Sequence, residues 1–386
     1  MRIGIVSETY PPEINGVALT VHSLAAGLAS QGHTVDLIRP RQQQPFEDEP
    51  GIVTLEVRGA SLPRYPGLRF GLPAGGSLRQ RWKRLRPDAI YVATEGPLGW
   101  SAVRAAKALG IPTATGFHTR FDTYADHYGV GFLTPVVRGY LRRFHRRAAA
   151  TLVPTEALAA ELSTLGVDTA RLLRRAVDTQ LFHPRHRSAE LRASWGVDGN
   201  TPTVLYVGRI APEKNLDLAV RTFRAIQQHV PKARYVWVGD GPARAALQAA
   251  NPDFIFAGMQ RGEALAQHYA SADLFPFPSL SETFGNVILE ALASGLPVVA
   301  YEEGAAREHL HTGHNGYRID IGNEKAFVES ATMLAGNASL IRHMGRAAHT
   351  SIANLSPDAV IREFENLLRE LAQENAHEHH ATAAHA

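Results

Sequence analysis

Short apolar runs alternate with longer helical patterns from the first residues of the chain. Residues 2–6 form one such run, the Pro-Pro pair at 11–12 forces a loop, and apolar residues at helical spacing follow. A turn and a second apolar run occupy residues 32–38. This order of strand, loop, helix and strand is typical of the opening of a Rossmann-like domain, and it predicts an α/β fold with a mostly parallel sheet.

The same pattern restarts near the middle of the chain. An apolar run at residues 203–210 contains Gly-Arg, and Ala-Pro-Glu-Lys-Asn leads from it into another helical pattern. Because 386 residues are too many for one typical domain, we expect two Rossmann-like domains. We place the first domain at 1–173 and the second at 174–357. A C-terminal amphipathic helix follows at 358–375 and a disordered tail at 376–386.

Residues 279–300, SLSETFGNVILEALASGLPVVA, predict a loop, a helix, a turn and a strand. The first turn of the helix leaves backbone N–H groups free and carries partial positive charge, so it can bind an anion. Glu282 precedes this helix start. Glu290 comes eight residues later, and a helical projection puts the two carboxylates close to one face.

This stretch resembles the retaining glycosyltransferases of family four, which carry two glutamates separated by seven residues. The resemblance implies that Glu282 binds hydroxyls of the donor sugar and that Glu290 binds the ribose of the nucleotide. An ordinary surface helix with two solvated carboxylates is the alternative, but the longer string favours a site. The donor-binding residues implied between the two glutamates are Phe284, Gly285, Asn286 and Val287.

Arg209 and Lys214 flank the predicted strand-to-helix loop of the second domain. A guanidinium and an ammonium group there can hold a diphosphate from two sides. The family resemblance gives them the task of neutralising the departing nucleotide diphosphate, whereas the alternative is a pair of solvated surface charges. In the family the backbone near Gly258 and Met259 meets the nucleotide base.

The first domain contributes two further candidates. Gly16 opens the first predicted helix, and in the family this loop closes over the donor phosphates. His118 ends the strand predicted at 112–117, at the edge where open α/β sheets bind ligands. A loop glycine and a core histidine are the alternatives. The family places a histidine beside the donor sugar, and the catalytic residues that it implies are therefore His118, Arg209, Lys214 and Glu282.

The resemblance covers nearly the whole chain and implies the GT-B arrangement of two facing Rossmann-like domains with an interdomain cleft, the donor mainly on the second and the acceptor on the first. The C-terminal helix often crosses back to the first domain in this architecture. We expect no cofactor, since the dinucleotide fingerprint Gly-x-Gly-x-x-Gly is missing from the first loop. We expect no metal, since the chain lacks the Asp-x-Asp motif.

Charge is unevenly distributed: residues 64–150 hold 15 basic and four acidic residues, although the whole chain carries a formal net charge of +3. Residues 132–148 predict a basic amphipathic helix, which is typical of membrane-surface elements. Packing of its apolar stripe on the sheet, with solvated arginines, is an alternative that is compatible with lipid contact. The arginines expected to meet an anionic membrane or the acceptor are Arg138, Arg142, Arg143, Arg146 and Arg147.

We therefore expect an enzyme that moves a hexose, with GDP-mannose favoured as donor, to a membrane lipid or a lipid-linked acceptor. The alternatives are a UDP-sugar donor for diacylglycerol or a soluble sugar, a non-catalytic nucleotide-sugar binding protein, and a Rossmann oxidoreductase, which the missing fingerprint disfavours. No nucleic acid partner is expected. The absence of cysteine, of a signal peptide and of a long apolar segment predicts a cytoplasmic protein, peripheral on the inner face of the membrane.

Overall fold

The computed structural model divides the chain into two compact units, Met1–Arg175 together with Pro357–Ala386, and Ala176–Ser356. We call them the N-terminal and the C-terminal unit. The residues that the structure describes are 1–13, 15–42, 49–61, 69–117, 134–199, 201–280 and 284–384. His118 and Glu282 lie outside these ranges.

The N-terminal unit is built on a seven-stranded parallel sheet with the strand order β3-β2-β1-β6-β7-β8-β9. Its strands are β1 (Arg2–Val6), β2 (Thr34–Pro40), β3 (Ile52–Val57), β6 (Ala89–Val92), β7 (Thr113–Gly116), β8 (Ala150–Val153) and β9 (Ala170–Leu172). A separate antiparallel pair is formed by β4 (Gly59–Ser61) and β5 (Arg69–Gly71). The helices are α1 (Gly16–Ser30), α2 (Gly75–Leu85), α3 (Pro97–Ala108), α4 (Thr134–His145) and α5 (Glu156–Thr164).

The C-terminal unit repeats this plan. Its strands are β10 (Thr203–Val207), β11 (Arg234–Val238), β12 (Ile255–Gly258), β13 (Phe275–Phe277), β14 (Val298–Tyr301) and β15 (Gly316–Ile319). Its helices are α6 (Ala189–Ser194), α7 (Leu216–His229), α8 (Arg244–Ala250), α9 (Gly262–Ser271), α10 (Asn286–Ala293), α11 (Gly304–His309), α12 (Glu324–Ala335) and α13 (Ala338–Ser351). Two 3₁₀ turns span Pro184–His186 and Pro212–Lys214.

Strands β10 and β13 lie side by side and join the two halves of the C-terminal sheet. A parallel bridge pairs Val204 with Leu274, and the Leu205 amide donates to the Leu274 carbonyl over 3.0 Å. The order across the sheet is therefore β12-β11-β10-β13-β14-β15. The direction of winding reverses between β10 and β13, and ligands of open α/β sheets bind beyond the carboxyl ends of the strands at such a point.

The central strands are buried on both faces, which explains their continuous apolar runs. Every residue of β10, for example, is buried, and so is every residue of β14. Helices cover both faces of a parallel sheet, so apolar side chains are buried on either face. The strict alternation of apolar and polar residues is therefore lost. This is why short apolar runs, and not alternating ones, marked the strands in the sequence.

The last helix, α14 (Pro357–Ala384), belongs to the N-terminal unit. Phe364 is fully buried and packs edge-on against Tyr91, with ring centroids 5.0 Å apart. A β-carbon on Gly27 of α1 would lie 2.1 Å from Ile361, so this glycine lets the two helices touch. The helix continues to Ala384, whereas the sequence predicted a disordered tail from residue 376. Alanine and glutamate are strong helix formers and extend the helix beyond its packed part.

Candidate active site

Two loops meet where the winding of the C-terminal sheet reverses. The loop after β10 ends at Asn215, whose Nδ2 donates to the carbonyl of Pro278 in the loop after β13, over 3.3 Å. Asn215 itself adopts a left-handed conformation with φ of 54°. Asparagine tolerates this conformation better than most residues. The bond ties the segment that carries Arg209 and Lys214 to the segment that leads into α10.

Arg209 and Lys214 belong to the same loop at the carboxyl end of β10. The Arg209 guanidinium is more than half exposed and lies 3.5 Å from Glu213, while the backbone carbonyl of Arg209 accepts a bond of 2.9 Å from the Tyr206 hydroxyl. Lys214 ends the 3₁₀ turn and is half-buried. The Tyr206 hydrogen bond and the 3₁₀ turn therefore hold the backbone that carries both cations, while the Arg209 guanidinium is exposed to solvent.

Neighbouring loops pack tightly against this one. The Gly239 amide donates to the Gly258 carbonyl over 2.8 Å, which links the ends of β11 and β12. Gly239 has φ of 133°, and a β-carbon there would lie 2.0 Å from the Gly208 carbonyl oxygen. Gly258, the last residue of β12, thus lies at the same edge of the sheet as Arg209. The side chain of the next residue, Met259, is 59% exposed. Both are placed where a ligand at this edge can reach them.

Helix α10 begins at the same edge, one strand away. Gly285 precedes it with φ of 88°, and Asn286 and Val287 are partly exposed. Phe284 was expected to bind the donor, but its side chain is only 5% exposed and packs in the core. Its carbonyl accepts a bond of 2.6 Å from the Ala305 amide. We therefore assign Phe284 the task of anchoring the helix start.

Glu290 lies one turn into α10 and is oriented by a neighbour that the sequence did not indicate. The hydroxyl of Tyr269, on α9, donates to Glu290 Oε2 over 2.8 Å, and Tyr269 is fully buried. Burial raises the pKa of Glu290, and the Tyr269 hydrogen bond opposes that rise. The helical projection that related Glu282 to Glu290 does not apply, since α10 starts only at Asn286 after a left-handed glycine.

In the N-terminal unit, Gly16 is the first residue of α1 and is exposed. Asn15 caps the helix by accepting a bond of 2.8 Å from the Ala18 amide, and its Nδ2 donates to Thr9 Oγ1 over 2.7 Å. The Thr9 hydroxyl in turn donates to Glu13 Oε2 over 2.6 Å. This chain of bonds fixes the loop after β1 at the carboxyl edge of its sheet.

Two buried carboxylates at that edge were missed by the sequence analysis. Glu8, after β1, accepts a bond of 2.8 Å from the Leu98 amide at the start of α3, and burial raises its pKa to about 7. Glu95, after β6, lies 3.7 Å from His145 Nε2, and both side chains are buried. The sequence signal that could have indicated Glu8 is an acidic residue close to the end of an apolar strand, since Glu8 lies two residues after β1.

Comparison with known proteins decides the family. The model of Glycosyltransferase Family 4 matches residues 14–181, and that of Glycosyl transferases group 1 matches residues 201–337. A GDP-mannose-dependent alpha-mannosyltransferase of Mycobacterium tuberculosis is 35% identical over 327 residues, 83% of this chain and 84% of that protein. The chain is a family 4 glycosyltransferase.

More distant relatives of this glycosyltransferase include an alpha-monoglucosyldiacylglycerol synthase of Acholeplasma laidlawii, 25% identical over 97% of this chain and 98% of that one. Sucrose-phosphate synthase from Thermosynechococcus elongatus superposes with a TM-score of 0.77 at 18% identity, covering 96% of this chain and 98% of that one. HepE of Anabaena, solved in complex with UDP, gives 0.75 at 17% identity, covering 96% and 100%. The expected fold class, GT-B with two Rossmann-like domains, is confirmed.

The basic helix of the glycosyltransferase, α4, differs in extent from its prediction. It ends at His145, so Arg146 and Arg147 lie in the turn that follows. The exposed arginines of this segment are Arg138, Arg142, Arg143 and Arg146, whereas Arg147 is partly buried and lies 4.8 Å from the centre of the Trp100 ring.

The apolar stripe expected on α4 is only partly buried. Leu141 and Phe144 are in the core, but Val136 is 68% exposed and Tyr140 38% exposed. Exposed apolar side chains thus accompany the exposed arginines of this segment. Among the described helices, none is both long and apolar enough to cross a bilayer.

Proposed function

We propose that this glycosyltransferase transfers a hexose from a nucleotide-diphosphate sugar, with retention at the anomeric carbon, to a membrane lipid or a lipid-linked acceptor. GDP-mannose is the proposed donor. Three GDP-mannose-dependent alpha-mannosyltransferases that are 33–35% identical support this choice. Relatives named as alpha-monoglucosyldiacylglycerol synthases support a lipid acceptor.

The observation that carries the proposal is the meeting of two loops at the carboxyl edge of β10 and β13. Arg209 and Lys214 supply positive charge from one loop, and the free amides at the start of α10 supply partial positive charge from the other. A leaving diphosphate gains negative charge in the transition state. Fixed cations therefore stabilise that state more than the ground state and raise the rate as well as the affinity.

We propose the remaining donor contacts from the resemblance to the family. Glu290 is proposed to accept hydrogen bonds from the ribose hydroxyls, with Tyr269 holding the carboxylate. Gly258 and Met259 are proposed to meet the base, and Glu282 to bind hydroxyls of the hexose. Gly16 and His118, on the N-terminal unit, are proposed to contact the donor phosphates and the sugar.

The acceptor is proposed to reach the N-terminal unit from a membrane surface. Three exposed arginines of α4 and Arg146 in the turn after it, with no acid within α4, give this face a positive charge, and Val136 adds an exposed apolar side chain. Each basic side chain near an anionic leaflet contributes about 1 kcal/mol to binding. The enzyme would thus be peripheral on the membrane that holds its acceptor.

Sugar transfer from radiolabelled GDP-mannose to extracted lipids, separated by thin-layer chromatography, tests this function. Lys214→Ala should lower kcat/KM by about a hundredfold or more, since an electrostatic contact to the leaving group is lost. Lys325→Ala removes an exposed lysine of the same unit and should retain activity. An α-linked product by NMR supports retention, whereas full activity of Lys214→Ala would refute the proposed diphosphate site.

A UDP-sugar donor is the second candidate. It is favoured by structural neighbours that were solved with UDP or UDP-glucose. Thermal shift with GDP and UDP discriminates between the two donors, because a nucleotide that binds only the folded protein raises the melting temperature. A rise with UDP and none with GDP would reject GDP-mannose.

A further inference from the structure

A groove opens at the edge of the C-terminal unit opposite the candidate donor site. Its volume is about 610 Å³, and its lining includes residues within three positions before a strand, among them Pro202 before β10, Asp273 before β13 and Gly295 before β14. Arg209 and Lys214 follow the other end of β10. Because β10 has five residues at about 3.3 Å each, the groove is separate from the donor edge.

The charge of the groove is positive and uncompensated. Asp273 is the sole acid among the described lining residues, and that carboxylate is already neutralised by Arg187 at 2.7 Å and Arg192 at 3.0 Å. Arg342 and Arg346 line the groove from α13, one turn apart, and neither guanidinium has an ion-pair or hydrogen-bond partner among the described residues. Like charges at this spacing on a helix destabilise it, so a bound anion would relieve a cost that the free protein carries.

One residue that lines the groove carries an unsatisfied polar atom. Ser294 lines the groove and is only 3% exposed, yet its Oγ has no hydrogen-bond partner within the described structure. A buried hydroxyl without a partner costs about 1–3 kcal/mol, so such groups are rare and call for a ligand or a water. This observation is independent of the arginine pair and indicates the same kind of occupant, one with acceptor oxygens.

His183 packs against His349, a lining residue, with ring centroids 4.5 Å apart. Burial lowers the pKa of His183, and the neighbouring charges of His349, Arg185 and His186 lower it further. The lining also contains apolar residues, among them Pro184, Ala272 and Ile341. A groove of this volume falls within the range of small-molecule sites.

We propose that this groove binds a soluble phosphate monoester with an apolar or aromatic organic part. Arg342 and Arg346 bind the phosphate oxygens, Ser294 Oγ donates to one of them, and the apolar lining covers the organic part. Arginine suits this task because its planar guanidinium pairs with two phosphate oxygens at once. The site is distinct from the donor site and lies at the other end of α10, after Ala293.

Calorimetric titration of the full chain with phenyl phosphate tests the proposal. Arg209→Gln/Lys214→Gln serves as the parent protein, so that the donor edge does not contribute. In that parent, Arg342→Gln/Arg346→Gln should weaken binding about tenfold or more, as expected for lost charge-assisted bonds. Lys232→Gln/Lys325→Gln removes the same charge from exposed positions outside the groove and should bind as the parent does. Equal affinity in the arginine variant would overturn the site.

Three further experiments test separate parts of the proposal. Ser294→Ala should lower the affinity without lowering the melting temperature, because its hydroxyl has no partner to lose. Inorganic phosphate and phenol should each bind more weakly than phenyl phosphate, and equal binding by inorganic phosphate would overturn the apolar part. Vesicles of phosphatidylcholine with phosphatidate form the last arm. If they co-sediment the parent but not the arginine variant, while phenyl phosphate does not bind, the soluble ligand is rejected in favour of a lipid headgroup.

Discussion

At the scale of single residues, the candidate site depends on partners that are distant in sequence. Tyr269 and Glu290 are 21 residues apart, on different helices, and their hydrogen bond holds the carboxylate proposed to bind ribose. Glu8 and Leu98 are 90 residues apart, and their bond fixes an acid at the start of α3. The glutamates themselves are visible in the sequence, but their protonation and orientation follow from these partners.

Tyr269→Phe should weaken donor binding. Loss of the hydroxyl removes a hydrogen bond to a carboxylate and raises the pKa of Glu290, which that bond lowers. We expect the KM for the donor to rise about three- to tenfold, with a smaller change in kcat. Tyr235→Phe is the matched control, since this tyrosine is also fully buried and its hydroxyl has no partner among the described residues. An unchanged KM in Tyr269→Phe would separate Glu290 from donor binding.

Glu8 makes stability depend on pH. Burial raises the pKa of Glu8 from an ordinary 4.5 to about 7, so the folded protein keeps a proton that the unfolded chain loses. The folded state binds more protons over this window, and stability therefore falls as pH rises from about 4.5 to about 7.

Glu8→Gln cannot ionise and should lack this fall, which amounts to about 3 kcal/mol at most. Urea unfolding at the two ends of the window measures the difference from wild type. Glu156→Gln, an exposed change on α5 of the same unit, should retain the wild-type fall. Parallel profiles for wild type and Glu8→Gln would contradict the raised pKa.

At the scale of elements, α4 combines two surfaces. Phe144 and Leu141 bury one stripe in the core, while the arginines and Val136 remain exposed. The sequence predicted both a basic face and an apolar stripe, but it did not determine which apolar residues of the stripe are buried in the core. That division depends on the neighbouring Trp100, which stacks on Tyr140 with ring centroids 5.4 Å apart.

Arg142→Gln/Arg146→Gln should weaken sedimentation with anionic vesicles. Two charges near an anionic surface are worth about 2 kcal/mol, or a roughly thirtyfold change in partitioning at low salt. Lys83→Gln/Arg84→Gln removes two exposed charges from α2 of the same unit and should have a much smaller effect. Equal losses in both variants would mean that net charge, and not α4, governs binding. High salt should reduce the difference.

At the scale of the whole molecule, each unit contains its own sheet and core, and the chain leaves and re-enters the N-terminal unit. Helix α14 supplies Phe364 and Leu368 to that unit's core after 181 residues spent in the other unit, Ala176–Ser356. Ion pairs reinforce this return, including Arg171 with Glu370 at 3.2 Å and Arg174 with Glu363 at 3.3 Å. These pairs are exposed, so the apolar contacts contribute most of the stabilisation.

Phe364→Ala should destabilise the N-terminal unit selectively. Truncation of a fully buried phenylalanine costs about 3–5 kcal/mol. Hydrogen exchange should show faster exchange of amides in β1 and β6, with protection in β10 and β14 retained. Phe327→Ala, equally buried in the C-terminal unit, should give the converse pattern. Uniform loss of protection across both units in either variant would show that they unfold as one.

The sequence alone determined the alternation of strands and helices, the two Rossmann-like halves and the positions of the candidate donor residues. These features are local, because apolar runs, turn residues and helix starts are set by residues close together in the chain. The start of α10 after Gly285 is one example, since a free helix N-terminus follows from the residues around it.

Only the tertiary structure decided which of those local features meet. The bond from Asn215 to Pro278 brings the loops after β10 and β13 together, and no local pattern encodes the order of strands in a sheet. The same holds for Tyr269 beside Glu290 and for the arginine pair of α13, which lines the same groove as Ser294. Contacts between distant segments depend on how helices and strands pack, and that packing sets the burial and the charge of each site.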